Sequence, residues 1–404
     1  MTPTANPPLA ATAQAPGRLA RPAALWLQAS ILVTYLAAST APSPLYALYR
    51  EAWGFSALTL TLVFSTYAFT LLAALLVFGA LSDFRGRREV IIVSLGLEFA
   101  SLLVFRHADS VGWLIAARAL QGVATGIATS VLSAGMQDLH RERGALLNSI
   151  APLLGMGAGA LGAGALAQFA PAPTRLVYEV LLAILAAQTL AAFWLPETVA
   201  RRAGALAAMR PQLAVPRRAR ATLWQVLPVN TAQWALGGFY ASLAPSLARI
   251  VTGLHSPLLG GAVVATLVLS GAIAVLAVRT RPARVALAGG TVALVLGLGV
   301  TLAGVQWHST AAFFAGSLVA GLGFGSAFNG TLRSLVPLAE PHERAGLMST
   351  FFVLSYLAFS VPAIAAGLVA GRVGLQAASL GYGLLLVALA GVALAMMARR
   401  QHAA

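Results

Sequence analysis

The chain has 404 residues, 59% of them hydrophobic and only 9% charged. Soluble domains carry about a quarter charged residues, so soluble enzymes and disordered scaffolds are excluded. The net charge is +15, all 26 basic residues are Arg, and the absence of Cys removes disulfides, thiolate nucleophiles and zinc–thiolate sites.

Residues 1–22, rich in Ala, Pro and Thr, read as a cytoplasmic tail. The run from Ala23 to about Tyr46 is too long for the apolar region of a signal peptide and reads as a retained first span. Apolar runs recur at about 57–81, 90–105, 111–136, 145–170, 177–195, 222–247, 257–278, 285–305, 310–336, 346–370 and 375–397. At roughly 20 apolar residues per crossing these make twelve spans. Strand alternation is absent, so the spans are helices. The fold class is an all-α membrane protein with twelve transmembrane helices in two pseudo-symmetric six-helix bundles. The bundles cover residues 23–195 and 222–398, with a cytoplasmic linker at 196–221 and a cytoplasmic tail at 399–404.

Arginine placement orients the chain. With the N-terminus inside, 20 arginines fall on the inner side and five on the outer side, and Arg118 lies within a span. By the positive-inside rule both termini are cytoplasmic, and the basic balance reflects membrane insertion rather than nucleic-acid binding. The halves repeat weakly. Ala41-Pro42-Ser43 recurs as Ala244-Pro245-Ser246, Gly122 and Gly126 as Gly321 and Gly325, and Glu142-Arg143 as Glu343-Arg344. Such a parallel repeat places a pseudo-twofold axis along the membrane normal and a cavity between the halves.

The strongest local signal runs from Gly79 through Leu81, Ser82, Asp83 and Gly86 to Arg87 and Arg88, between spans 2 and 3. Gly86 permits a tight turn. Asp83 and the arginines suit charge-assisted bonds to neighbouring helix ends. The segment resembles the signature loop of the major facilitator superfamily, G-x-L-A/S-D-R/K-x-G-R-R/K, and departs from it at Phe84. Arg118-Ala119-Leu120-Gln121-Gly122 resembles that family's span 4 motif, R-x-x-Q-G. Gly155, Gly159, Gly162 and Gly164 are similar to its glycine-rich antiporter motif, with Ala160 replacing the proline. The resemblance implies a secondary transporter working by alternating access. It also implies that Asp83 bonds the start of span 11, near Ala345-Gly346, when the cavity opens outward.

Glu98 and Arg118 are the two deep ionisable residues, each about 12 Å below the outer surface on antiparallel neighbours. Three roles stay open: an ion pair, a proton carrier at Glu98, or an unpaired Arg118 facing the cavity. Glu179 lies only about 5 Å inside span 6, where interfacial solvation suffices. Candidate cavity residues are Tyr35 on span 1, Gln121 and Thr125 on span 4, Asn230, Gln233 and Tyr240 on span 7, and Asn329 on span 10. Polar contacts between helices are the competing role for each.

The expected function is proton-coupled efflux of lipophilic compounds by a bacterial inner-membrane transporter. The alternative is uptake of a small organic anion or metabolite, with Arg118 as counter-charge. The expected partners are a small solute, protons and the bilayer. No cofactor, metal, nucleic acid or enzymatic activity is expected, and the chain is expected to be a monomer. The topology is testable because no native Cys interferes. Ala203→Cys should resist an impermeant reagent in intact cells and react in inverted vesicles; labelling from outside overturns the orientation.

Overall fold

The computed structural model describes residues 19–340 and 342–401. The expected N-terminal tail lies outside the described residues up to Arg18, as do residues 402–404. Every regular element described is helical: α1 (Arg21–Thr40), α2 (Pro42–Trp53), α3 (Ala57–Phe78), α4 (Ser82–Arg85), α5 (Arg87–Arg106), α6 (Val111–Leu139), α7 (Arg141–Phe169), α8 (Pro173–Ala192), α9 (Ala205–Ala208), α10 (Arg217–Ser242), α11 (Ala244–Thr252), α12 (Pro257–Val278), α13 (Ala283–Gln306), α14 (Thr310–Leu335), a 3-10 turn (Val336–Leu338), α15 (Arg344–Val373) and α16 (Leu375–Gln401).

Among the described residues, ten helices are long and apolar enough to cross a membrane, counting α1 and α2 as one broken span. α5 and α10 complete the twelve. Their hydropathy is diluted by charge and amides: Glu98 inside α5, Arg217, Arg218 and Arg220 at the start of α10, and Asn230 and Gln233 within it. Twelve crossings put the ends of α1 and α16 on one side, the terminal end; the opposite side is the far end.

Spans 1 and 7 bend rather than stop at their prolines. Ala41 keeps right-handed helical angles before Pro42, and Leu243 stays right-handed before Ala244-Pro245. Pro245 has no N–H to give the carbonyl four residues back, that of Ala241. Ser43 of the other half donates to this carbonyl instead, at 2.7 Å.

The two halves pack alike. α3 lies on α6 as α12 lies on α14, α5 on α8 as α13 on α16, and α1 on α7 as α10 on α15. The halves meet through α3 with α15 and through α7 with α12. The repeated glycines mark contacts within each half. A Cβ on Gly122 or Gly126 would strike the backbone of α3 at Tyr67 and Leu71; one on Gly321 or Gly325 would strike α12 at Leu267 and Gly271. Small residues thus bring backbones together where no water drives helix association.

The tightest pair is α13 with α14. Gly290, Gly297 and Gly304 alternate with Gly316, Gly323 and Gly330, each series seven residues apart, and a Cβ on any of the six would meet the partner's backbone. Gly323→Leu should therefore lower thermal stability, with an overpacking cost of about 1–3 kcal/mol. Gly299→Leu, with nothing within 4 Å of its Cβ position, should leave it unchanged. Thermal unfolding in detergent checks this; equal melting of the two variants contradicts the close approach.

Candidate functional site

The deep polar site lies in the first half. Arg118 sits seven residues into α6, about 10 Å from its start, and is completely buried. Its Nε donates to the Tyr46 hydroxyl, and its Nη1 donates to the Ser39 carbonyl and to Gln121 Oε1, each at 2.7 Å. The rings of Tyr46, Phe64, Tyr67 and Phe105 surround the guanidinium at 5.4–6.0 Å. Such rings stabilise a desolvated cation through their quadrupoles.

Glu98 is also completely buried, and it makes no direct ion pair with Arg118. Gln121 stands between them: its amide Nε2 donates to Glu98 Oε1 at 3.1 Å while its Oε1 accepts from Arg118. The link between acid and base is therefore a relay through one amide. Glu98 Oε2, Arg118 Nη2 and the buried Tyr35 hydroxyl have no partner among the described residues. Thr125 turns its hydroxyl back onto the Gln121 carbonyl at 2.8 Å. Glu179 pairs with Arg106 at 2.8 Å, tying α8 to α5.

In the second half the candidate amides bond helix to helix. Asn230 Nδ2 donates to Ser355 Oγ at 2.9 Å, Gln233 Nε2 donates to Asn230 Oδ1 at 3.1 Å, and the Tyr240 and Ser317 hydroxyls share a 2.6 Å bond. Val226, Val229 and Ala232 of the same helix are buried and apolar, so the polar face of α10 is narrow. Asn329 lies apart, toward the terminal end of α14, accepting from Arg333 at 3.4 Å. Beside the amides lies an aromatic cluster that no sequence motif marks. Trp234 is edge-on to Phe328, Tyr356 and Phe359 at 6.0, 5.0 and 5.9 Å.

The offset of 199 residues seen in Gly122 and Gly321 sets Glu98 opposite Gly297, Arg118 opposite Ser317 and Gln121 opposite Ala320. The second half therefore has no counterpart of the relay at the same positions.

The halves are latched at the far end. Their direct side-chain hydrogen bonds among the described residues are Ser43 to Ala241, Ser256 to Gln168 at 2.8 Å, and the Glu51–Arg249 ion pair, all there. At the terminal end the signature loop turns inward on its own half. Arg87 is buried, bonded to Asp83 at 2.6 Å, Ser82 at 2.5 Å and Asp138 at 3.1 Å. Gly86 adopts a φ of 97°, and a Cβ there would meet the Glu197 carboxylate at 2.5 Å. That carboxylate caps α5, accepting from the backbone N–H of Arg87 at 2.7 Å and of Arg88 at 3.2 Å. Ser130 binds the Gly79 carbonyl at 2.7 Å.

The linker straps both halves. Arg202 donates to the Asp83 and Phe84 carbonyls and covers the Phe84 ring at 5.0 Å. Arg201 pairs with Glu89. Downstream, the Ala214 N–H reaches the Gly346 carbonyl at 3.3 Å, and Arg218 pairs with Glu340 and Glu343. Hydrogen bonding from Arg218 holds the half-buried Glu343 carboxyl below its ordinary range. Ala214 thus occupies the start of α15, where the resemblance expects Asp83 in the opposite conformation. Glu197, Asp138 and Arg202 were not legible as site residues, because their partners lie about 50–120 residues away.

Asp83→Asn should impair transport with modest loss of protein, since it removes the charge that the resemblance places at the start of α15 in the opposite conformation. Cysteine labelling should shift toward the form open at the terminal end. Unchanged kinetics and labelling reduce the loop to a topology device.

Comparison with known proteins agrees with this architecture. The human organic anion transporter MFSD10 (TETRAN) is 20% identical, with a TM-score of 0.68 over 93% of this chain and 100% of its own. A bacterial homologue of the human lysosomal transporter Spinster, solved in an inward-facing and unoccupied conformation, is 15% identical, with a TM-score of 0.75 over 93% of this chain and 97% of its own. A search of curated protein sequences returns no match. The sequence profile of the Major Facilitator Superfamily matches residues 29–361, and with most of its length so covered the chain belongs to that superfamily of transporters.

Proposed function

We propose that this transporter couples proton movement to efflux of small lipophilic solutes across a bacterial inner membrane, with both termini cytoplasmic. The observation that carries the reading is the one-sided relay. A completely buried acid, Glu98, reaches a completely buried cation, Arg118, through Gln121, while the matching positions of the other half hold Gly297, Ser317 and Ala320. An ionisable group at this depth is costly and implies a task. Glu98 takes the coupled proton, and Gln121 passes the change in its charge to Arg118. Arg118 in turn holds Ser39 and Tyr46, on either side of the bend in span 1. Protonation is thereby tied to the helix that carries Ser43 of the far-end latch.

A second reading, uptake of a small organic anion, is favoured by Arg118 Nη2, which has no partner among the described residues, and by the fold shared with MFSD10, an organic anion transporter. In that case Arg118 receives the anion once Glu98 is neutral.

Proteoliposomes test the coupling. Glu98→Gln should abolish pH-driven accumulation yet spare exchange of solute across the membrane. Arg118→Gln should damage folding, because it strips the partner from the amide and the cage, and Glu98→Gln with Arg118→Gln should recover part of the loss. Wild-type gradients and rates in Glu98→Gln contradict the reading.

A further inference from the structure

We propose that the rings around Trp234 form the solute site, and that this site takes aromatic solutes bearing no positive charge. The proposal rests on the transporter reading and names the substrate class for it. Rings from α14 and α15 converge on Trp234 of α10, edge-on at interplanar angles of 61–77°. The cluster crosses to the other half. Phe64 of α3 lies 5.1 Å from Phe359, and Tyr67 packs on Tyr356 and Phe359. Helices that must part and rejoin during alternating access therefore meet through these rings, and separation of the halves uncovers their faces.

Three further observations define the occupant. Trp234, Phe328, Tyr356 and Phe359 are half-buried, whereas Asn230 and Gln233 are buried and bonded. The site thus offers ring faces rather than amides, and flat aromatic solutes match ring faces best. Trp234 Nε1 has no acceptor among the described residues, which gives an entering solute one donor for a single oxygen. The charge pattern opposes cations. The second half carries no Asp or Glu from Thr222 to Ala339. The nearest deep acid, Glu98, is bonded to Gln121. The Phe64 and Tyr67 rings that border the site already face Arg118, at 6.0 and 5.4 Å. Ring faces attract a cation, but Arg118 already lies over the Phe64 and Tyr67 faces, so a cationic solute meets no carboxylate and is repelled by the guanidinium, while neutral and anionic solutes escape that cost.

The test uses the full-length protein in detergent, with binding read by equilibrium dialysis of three shape-matched probes: 2-naphthylmethanol, 2-naphthoate and (2-naphthylmethyl)trimethylammonium. The alcohol and the carboxylate should bind at least about tenfold more tightly than the ammonium, a gap of roughly 1.4 kcal/mol. Trp234→Leu and Phe359→Leu should each weaken the alcohol about 3- to 10-fold, the range expected for loss of one aromatic contact. Trp234→Phe keeps a ring, so folding is spared; it should weaken the alcohol but leave 2-methylnaphthalene, which has no oxygen, unchanged. Trp224→Phe, on an exposed ring, should change nothing. Equal or tighter binding of the ammonium, no binding of any probe, or wild-type affinity in both leucine variants overturns the proposal. No proton gradient is present, so retained coupling in Glu98→Gln contradicts the proposed function separately from this result.

Discussion

Taking a guanidinium out of water costs several kcal/mol unless its hydrogens find acceptors, and Arg118 is completely buried in the first bundle. Meeting that demand recruits four spans. Span 1 gives the Ser39 carbonyl and Tyr46 on either side of its bend, span 2 gives Phe64 and Tyr67, span 3 gives Phe105, and span 4 gives Gln121. Glu98 joins the same set through Gln121. The bundle cannot rearrange around span 1 without remaking these bonds. A change of charge at Glu98 would therefore reach all four spans through Gln121 and Arg118.

The two halves share a plan and use it differently. The glycines that seal α13 against α14 fall at Gly290, Gly297 and Gly304 and at Gly316, Gly323 and Gly330. At the offset of 199 the first half has Ile91, Glu98 and Phe105 and, facing them, Ala117, Ala124 and Val131. Side chains replace glycine on α5 and hold it off α6, which leaves room for an acid and an amide. In the second half the backbones close that room. The asymmetry of charge is thus a matter of helix spacing as much as of residue identity.

Much of the fold was legible in sequence because the signals are local. Apolar runs gave the spans, including α5 and α10, whose charges and amides lower their hydropathy. The repeated Gly122, Gly126, Gly321 and Gly325 pointed to two like halves, and all four sit at close helix contacts. Depth matching placed Glu98 and Arg118 at one level, but depth says nothing of azimuth, and the amide that intervenes has the sequence pattern of a cavity residue. Whether spans 1 and 7 bend or end at Pro42 and Pro245 depends on the backbone angles around them, which the residues alone do not fix. Trp234 and its rings carried no signal, because aromatic residues are ordinary in apolar spans and only tertiary packing gathers them. Glu197 was equally hidden, being a linker acid whose partners are the backbone N–H groups of another helix.

The α13–α14 pair has a consequence for biogenesis. The two helices are joined by a short turn at Trp307–Ser309, where His308 adopts a positive φ of 51°. Their contacts are near in sequence, so bringing them together carries a small loop-closure cost. Their glycine faces need no third helix to become complementary. The hairpin is thus equipped to form once both helices have entered the bilayer, before α15 and α16 have been synthesised. The α13 face that α16 packs against is then ready before α16 is made, and the order of synthesis becomes an order of assembly.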